Sequence, residues 1–204
     1  MNVYELDTVT LDLLYEDVTD ENRAARAPGF LRAYNSAYDE LQRVRYRPRR
    51  WEQAQATGDA LALASLSYRC RAILKIARYR DYSQEAGGGA SPELVFRPVD
   101  HSTVALPGAG AGSVRVLYEY RYPDLKNDAP CSPPTEETPD NTPQIPCEAH
   151  PLLCIAAAAD CCRRRRRPDL SDMHMREYYR ALSTLRPVPM PGDGLRNLYE
   201  RRRG

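Results

Sequence analysis

The sequence predicts an α+β fold: a helical bundle formed by both chain ends, an inserted small antiparallel β lobe, and an extended C-terminal tail. Three observations predict it. Apolar residues recur at helical spacing across residues 28–45. Val114, Val116, Tyr118 and Tyr120 alternate with Arg115, Leu117, Glu119 and Arg121. Helical patterns then resume over residues 152–159 and 175–185. Two helical regions flanking a strand region close most simply as one bundle from which a β lobe projects. The expected bounds are 1–50 and 123–185 for the bundle, 51–122 for the lobe and 186–204 for the tail.

Each element has its own signal. Over residues 9–18, Leu11, Leu14, Tyr15 and Val18 sit at helical spacing, while Val9, Leu11 and Leu13 sit at strand spacing. A short helix is the favoured reading there. Phe30, Leu31, Tyr34, Ala37, Tyr38, Leu41 and Val44 form one stripe, with Arg32, Asn35, Asp39, Gln42 and Arg43 between them. That is an amphipathic helix over residues 28–45. Pro28 suits its first turn and Pro48 the break after it.

Leu61, Leu63 and Leu66 are a short apolar set. Residues 72–79 alternate and read as a strand, although a helix over 66–79 fits the same residues. Residues 94–96 and 104–106 read as short strands, and residues 114–121 as the best strand in the chain. Gly87, Gly88 and Gly89, and then Gly108, Gly110 and Gly112, punctuate the lobe as flexible connectors. Pro130, Pro133, Pro134, Pro139, Pro143 and Pro146 make residues 127–147 an exposed loop, because proline supplies no backbone donor to a helix or a central strand.

Residues 152–159 are continuously apolar and rich in alanine, as in a buried helix. Five arginines follow, and Pro168 stops the helix. In the last helix Met175, Tyr178, Tyr179, Leu182 and Leu185 share a face, with His174, Arg176, Glu177 and Arg180 off it. Pro187, Pro189, Pro191, Gly192 and Gly194 make the tail extended, ordered only by a partner.

Composition narrows the function. The 204 residues carry 29 basic and 28 acidic side chains, a net charge of +1. Dedicated nucleic-acid binders are usually far more basic. No apolar run approaches a bilayer span, and residues 1–7 lack the features of a signal peptide, so a cytoplasmic protein with reduced cysteines is expected. The six cysteines, Cys70, Cys131, Cys147, Cys154, Cys161 and Cys162, show no C-x-x-C spacing. Structural zinc is therefore not expected. Cys154, Cys161 and Cys162 read as small apolar fillers of a helix, and Cys131 and Cys147 flank the proline-rich loop, where they are free to pair in air.

His101, His150 and His174 are the only histidines, and no two share a segment. The glycines at 108–112 precede a strand, whereas a phosphate loop needs a helix N-terminus. Glu136 and Glu137 have no apolar wall to shift a pKa. No catalytic, cofactor or metal site is expected.

Arg163, Arg164, Arg165, Arg166 and Arg167 are the loudest local feature. They admit three readings: a nucleic-acid patch, a solvated helix end that complements the helix dipole, or a docking surface for an acidic partner. No aromatic platform is interleaved with them, which weakens the single-strand reading. Tyrosine dominates the aromatics, with 14 against 2 phenylalanines and 1 tryptophan. Partly wet subunit contacts favour tyrosine, and so does an ordinary core.

The segments "FLRAYNSAYDELQR", "VRVLYEYRYPDL", "IPCEAHPLLCIAAAADCC" and "MREYYRALSTL" occur in that order. Together they resemble the head-to-tail adaptor, or connector, proteins of tailed bacteriophages. The family pattern is an asparagine-bearing amphipathic helix, then a β lobe ending in V-x-V-x-Y-x-Y-x-P-x-x-L. A proline-histidine entry into an alanine-rich helix and a tyrosine-bearing final helix complete it. The likeness covers nearly the whole chain, with the loop at 127–147 and the five arginines as departures.

The resemblance implies a structural virion protein of the neck, with no enzymatic activity. Its subunits would form a ring, commonly dodecameric, beneath the portal protein, extending the DNA channel and presenting a face to a stopper or tail-tube protein. It also implies that the C-terminal segment docks on the portal, through residues such as Arg196, Leu198, Tyr199, Arg201 and Arg202. The glycine loops are then expected to carry the tail-side contacts. The five arginines are expected to dock on the portal or a neighbouring subunit, because arginines lining the channel would grip sliding DNA through its phosphates.

Overall fold

A computed structural model of the protein describes residues 1–78, 93–127 and 141–185. The described residues contain four α-helices and two small antiparallel sheets, so the chain is α+β. Of the described residues, 1–46, 123–127 and 141–185 form one compact unit, and 47–78 with 93–122 form another.

The helical unit begins with α1 (Val3–Leu13). Asn2 Oδ1 accepts from the Glu5 N–H at 3.0 Å and Glu5 Oε2 accepts from the Asn2 N–H at 3.0 Å, a reciprocal capping box. The helix expected at 9–18 therefore starts earlier, and it ends before Tyr15, which takes a left-handed φ of 55°. Its buried stripe is Val3, Leu6, Asp7, Thr10 and Leu11. Two of those five are polar, so an apolar period could not find it.

Helix α2 (Asp20–Leu41) starts well before Pro28, not at it. Thr19 Oγ1 accepts from the Asn22 N–H at 3.2 Å, and Asp20 and Glu21 complement the dipole of the first turn. Pro28 sits inside the helix, where it forgoes one i→i−4 hydrogen bond. Phe30, Tyr34, Ala37, Tyr38 and Leu41 of the expected stripe are buried, Leu31 is half-buried, and Ala33, outside the stripe, is buried with them. Val44 is not: a π turn over Gln42–Tyr46 winds wider than an α turn, which buries Tyr46 and leaves Val44 50% exposed.

Helix α3 (His150–Arg164) is buried almost all round and packs on α1, α2 and α4. Ala157, Ala158 and Ala159 present backbone-thin surfaces that let its neighbours approach closely. Pro168 opens the next helix, α4 (Pro168–Thr184), rather than merely stopping α3. The buried face of α4 is Ser171, His174, Tyr178 and Leu182. This corrects the expected face: Tyr179 is 57% exposed, Met175 and Leu185 are half-buried, and His174 turns inward. Ser171 and His174 are buried although polar, so the sequence pattern hid both.

In the second unit, β1 (Arg49–Ala56), β3 (Arg69–Arg78) and β6 (Gly112–Arg121) form a sheet in the order β1-β6-β3. Strands β2 (Ala60–Ala62), β4 (Arg97–Pro98) and β5 (Thr103–Ala105) form another in the order β2-β5-β4. All pairings are antiparallel. Val114, Val116 and Tyr118 of the central strand face the core with Ala54, Leu61, Ile76 and Leu106.

Three sequence expectations change here. Strand β1 had no expected counterpart, since alanine and glutamine make a faint alternation. Residues 94–96 are not a strand; Leu94 only donates its N–H to the Ile76 carbonyl at 2.7 Å. The ambiguity over 66–79 resolves as strand from Arg69, with register shifts between Cys70 and Ala72 and between Ile73 and Lys75. Those irregularities break the alternation and explain why a helix fitted the same residues.

Gly87, Gly88, Gly89, residues 128–140 of the proline-rich loop with Cys131, and the tail 186–204 with Arg196, Leu198, Tyr199, Arg201 and Arg202 lie outside the described residues. Among the described residues no helix is long and apolar enough to cross a membrane.

Candidate functional site

The five arginines form the turn between α3 and α4. Arg163 and Arg164 belong to the last turn of α3, Arg165 is its C-cap, and Arg167 precedes Pro168. The Arg167 N–H donates to the Cys162 carbonyl at 2.9 Å and the Arg166 N–H to the Arg163 carbonyl at 3.1 Å. That pair of bonds is a Schellman motif. Arg166 holds its left-handed position at φ 57°, where glycine is the usual residue. A side chain there costs about 1 kcal/mol or more, so the chain keeps a positive charge at a place that geometry disfavours.

The arginines do not act alike. Arg164 pairs with Asp160 one turn earlier on α3, and Arg165 pairs with Glu16. Arg26 of α2 closes on the same Glu16 carboxylate with two bonds, at 3.2 and 3.3 Å. Burial alone would raise the Glu16 pKa, but hydrogen bonds and charge from Arg165 and Arg26 outweigh it and hold the carboxyl below its usual range. Arg163, Arg166 and Arg167 are exposed and make no ion pair among the described residues. Arg165 thus ties the turn to Glu16, Arg164 is held along α3 itself, and the other three remain available to a partner.

Beside the turn lies a cleft of about 410 Å³ between α2 and α3, lined in part by Arg26, Gly29, Arg32, Cys161, Arg164 and Arg165. Gly29 forms part of its wall, where an added Cβ would meet the Arg164 guanidinium at 3.5 Å. A concave surface with four guanidiniums is suited to carboxylate or phosphate groups, which arginine binds in a planar, two-bonded geometry.

A second polar cluster is internal. Asp7 is fully buried and accepts from the Tyr34 hydroxyl at 3.0 Å and from Asn127 Nδ2 at 2.9 Å. Thr10 Oγ1 lies 2.8 Å from the Tyr34 oxygen and donates to the Leu6 carbonyl at 2.8 Å. Arg23 donates to the Tyr4 carbonyl at 2.9 Å and to Thr8 Oγ1 at 2.7 Å. Desolvation raises the Asp7 pKa to about 6 against the lowering effects of Tyr34, Arg23 and Asn127. The Cys154 thiol, also near Asp7, is pushed up to about 12, chiefly by burial. These bonds tie α1, α2 and the segment at Asn127 together inside the helical unit.

The remaining expected residues are placed as follows. Gly108 and Gly110 lie between β5 and β6 and Gly112 opens β6, with φ of 73°, 68° and 154°. Arg78 donates to the carbonyls of Gly108 and Ala109 at 3.1 and 3.3 Å, and Asp59 accepts from the Gly110 N–H at 3.0 Å. His101 is exposed, whereas His150 and His174 are buried in the helical unit. His150 Nε2 lies 3.0 Å from the Ile145 carbonyl. Cys154 and Cys162 are buried free thiols, Cys161 is half-buried, and Cys147 is exposed. Among the described residues no cluster of three or more His, Cys, Asp or Glu is placed to hold a metal ion.

Sequence reasoning found the arginines but missed Glu16, Arg26 and the Asp7 cluster. Asp160 was legible, since a carboxylate four residues before an arginine on a helix is a known pairing signal. Glu16 was not, because its partners are set by how α1, α2 and α3 pack. No protein-family model matches this chain, and no curated protein matches its sequence.

Proposed function

We propose that this chain is a head-to-tail adaptor of a tailed bacteriophage: a structural, non-catalytic subunit of a ring beneath the portal. The ring would extend the DNA channel and receive a stopper or tail-tube protein. It would sit in the virion neck after assembly in the host cytoplasm.

One observation carries the reading. Asn35, the asparagine of the amphipathic helix, accepts from the Leu125 N–H at 2.7 Å and donates to the Leu125 carbonyl at 3.0 Å. Leu125 is the leucine that ends the V-x-V-x-Y-x-Y-x-P-x-x-L pattern. Two residues singled out by the resemblance, 90 apart in sequence, are thus clamped to each other. The clamp fixes where the chain re-enters the helical unit after the β strands, so those motif positions have a shared architectural purpose. The bundle drawn from both chain ends, the tail and the docking roles of the arginines belong to the same proposal.

Electron microscopy of the purified protein, alone and with its portal, tests the reading. A ring assembling on the portal supports it; a monomer that ignores the portal refutes it. Three exposed arginines also favour a second reading, a nucleic-acid-binding regulator. Replacing Arg163, Arg164, Arg165, Arg166 and Arg167 with serine separates the two. Loss of portal binding supports docking, whereas normal head joining with lost duplex affinity supports the regulator.

A further inference from the structure

The helical unit has two chemically opposite ends. Helices α1 and α3 run in the same direction. Cys154 Sγ approaches the Leu6 carbonyl at 3.6 Å, and at the far end Arg165 meets Glu16. The 15 residues of α3 span about 22 Å at 1.5 Å per residue. The arginine turn and its cleft lie at the C-terminal end of α3.

Residues 128–140 join the unit near the other end. Before them, Asn127 donates to Asp7; after them, the Asn141 carbonyl accepts from the Val3 N–H at 2.8 Å. The Gln144 N–H then donates to the Tyr38 hydroxyl at 2.8 Å. The sequence between these anchors contains Asp128, Glu136, Glu137 and Asp140, and neither lysine nor arginine. At the arginine end, Glu16 and Asp160 satisfy Arg26, Arg164 and Arg165. Arg32, Arg163, Arg166 and Arg167 make no ion pair among the described residues.

We propose that the arginine end of one copy receives the acidic segment 128–140 of a second copy. This rests on the docking reading of the arginines and names the occupant. The occupant follows from charge: a segment whose only charged side chains are carboxylates is anchored at one end of the unit by Asn127 and Asn141, and unpaired guanidiniums beside a concave cleft sit at the other. A contact joining opposite ends of like chains is heterologous. It leaves one surface of each kind open, so it propagates into a closed ring or a filament. Arginine favours carboxylate partners through paired hydrogen bonds, and complementary charge fixes register as well as attraction.

The test uses the full chain in two variants, Arg163→Ser/Arg166→Ser/Arg167→Ser and Glu136→Gln/Glu137→Gln, studied by sedimentation at low and high salt. Wild type should self-associate at low salt and dissociate as salt screens the contact. Each variant alone should associate at least about tenfold more weakly. Mixed together, the two should form a one-to-one pair that grows no further, because each keeps the surface that the other lacks. At high salt, where the contact is screened, the melting curve of the arginine variant should match wild type, since the three arginines are exposed.

A wild type that is monomeric at low salt, or a mixture that fails to pair, overturns the proposal. If wild type is monomeric but the arginine variant no longer binds the portal, the docking reading survives and only the choice of occupant falls. If the arginine variant binds the portal and self-associates normally, both fall.

Discussion

Asp7→Asn should stabilise the protein, increasingly so as pH rises. Asp7 is fully buried, and its pKa rises from 3.8 to about 6, chiefly through desolvation. The folded chain therefore holds a proton on Asp7 that the unfolded chain has released between about pH 4 and 6. Stability from this group is complete below pH 4 and is lost as pH climbs through about 6. A rise of about two units at 1.36 kcal/mol per unit amounts to about 3 kcal/mol.

The asparagine variant keeps every hydrogen bond. Its Oδ1 can accept from Asn127, and its Nδ2 can donate to the Tyr34 oxygen. Tyr34 then donates to Thr10, which already donates to the Leu6 carbonyl. Urea unfolding of wild type and Asp7→Asn across pH 4 to 7.5 reads the difference directly, because every other titrating group is common to both. The gap should widen by about 3 kcal/mol over that window and be flat above pH 7. Parallel curves, or a wild type that gains on the variant as pH rises, would show that Asp7 is stably ionised by Arg23 and that burial does not govern it.

Three further outcomes follow from the same geometry. Arg166→Gly should raise stability by about 1 kcal/mol, visible as a rise in Tm of about 2–4 °C, by relieving the left-handed position; an unchanged or lower Tm would show that the Arg166 side chain has compensating contacts. Asn35→Ala should cost about 2–3 kcal/mol in a urea melt, since it strands both backbone groups of buried Leu125; a loss under about 0.5 kcal/mol would mean the clamp is incidental. Leu153→Asp places an unpaired charge in fully buried surroundings on α3 and should abolish the cooperative melt, whereas Leu153→Met should retain it.

The sequence by itself determined the elements whose buried face is apolar. Phe30, Tyr34, Ala37, Tyr38 and Leu41 of the expected stripe, Val114, Val116 and Tyr118 of the expected strand, and all but Ala156 of the run at 152–159 are buried, while Leu31 and Tyr120 are half-buried and Val44 is exposed. Each repeats at the period of its own secondary structure, so local pattern and burial carry the same information. The five arginines were equally plain, because a charge run needs no partner to be seen.

Only tertiary structure decided the rest. Asp7, Thr10, Arg23 and His174 are buried polar residues, and burial of a polar group depends on a hydrogen-bonding or packing partner far away in sequence. Pro28 looked like a helix start because its missing N–H is harmless there, yet the Thr19 cap upstream began the helix first. The arginine run looked uniform, but packing of α1 and α2 against α3 brought Glu16 and Arg26 to Arg165 while leaving Arg163, Arg166 and Arg167 to solvent. Local periodicity reports which face is greasy; which charge meets which is settled only when the helices have packed.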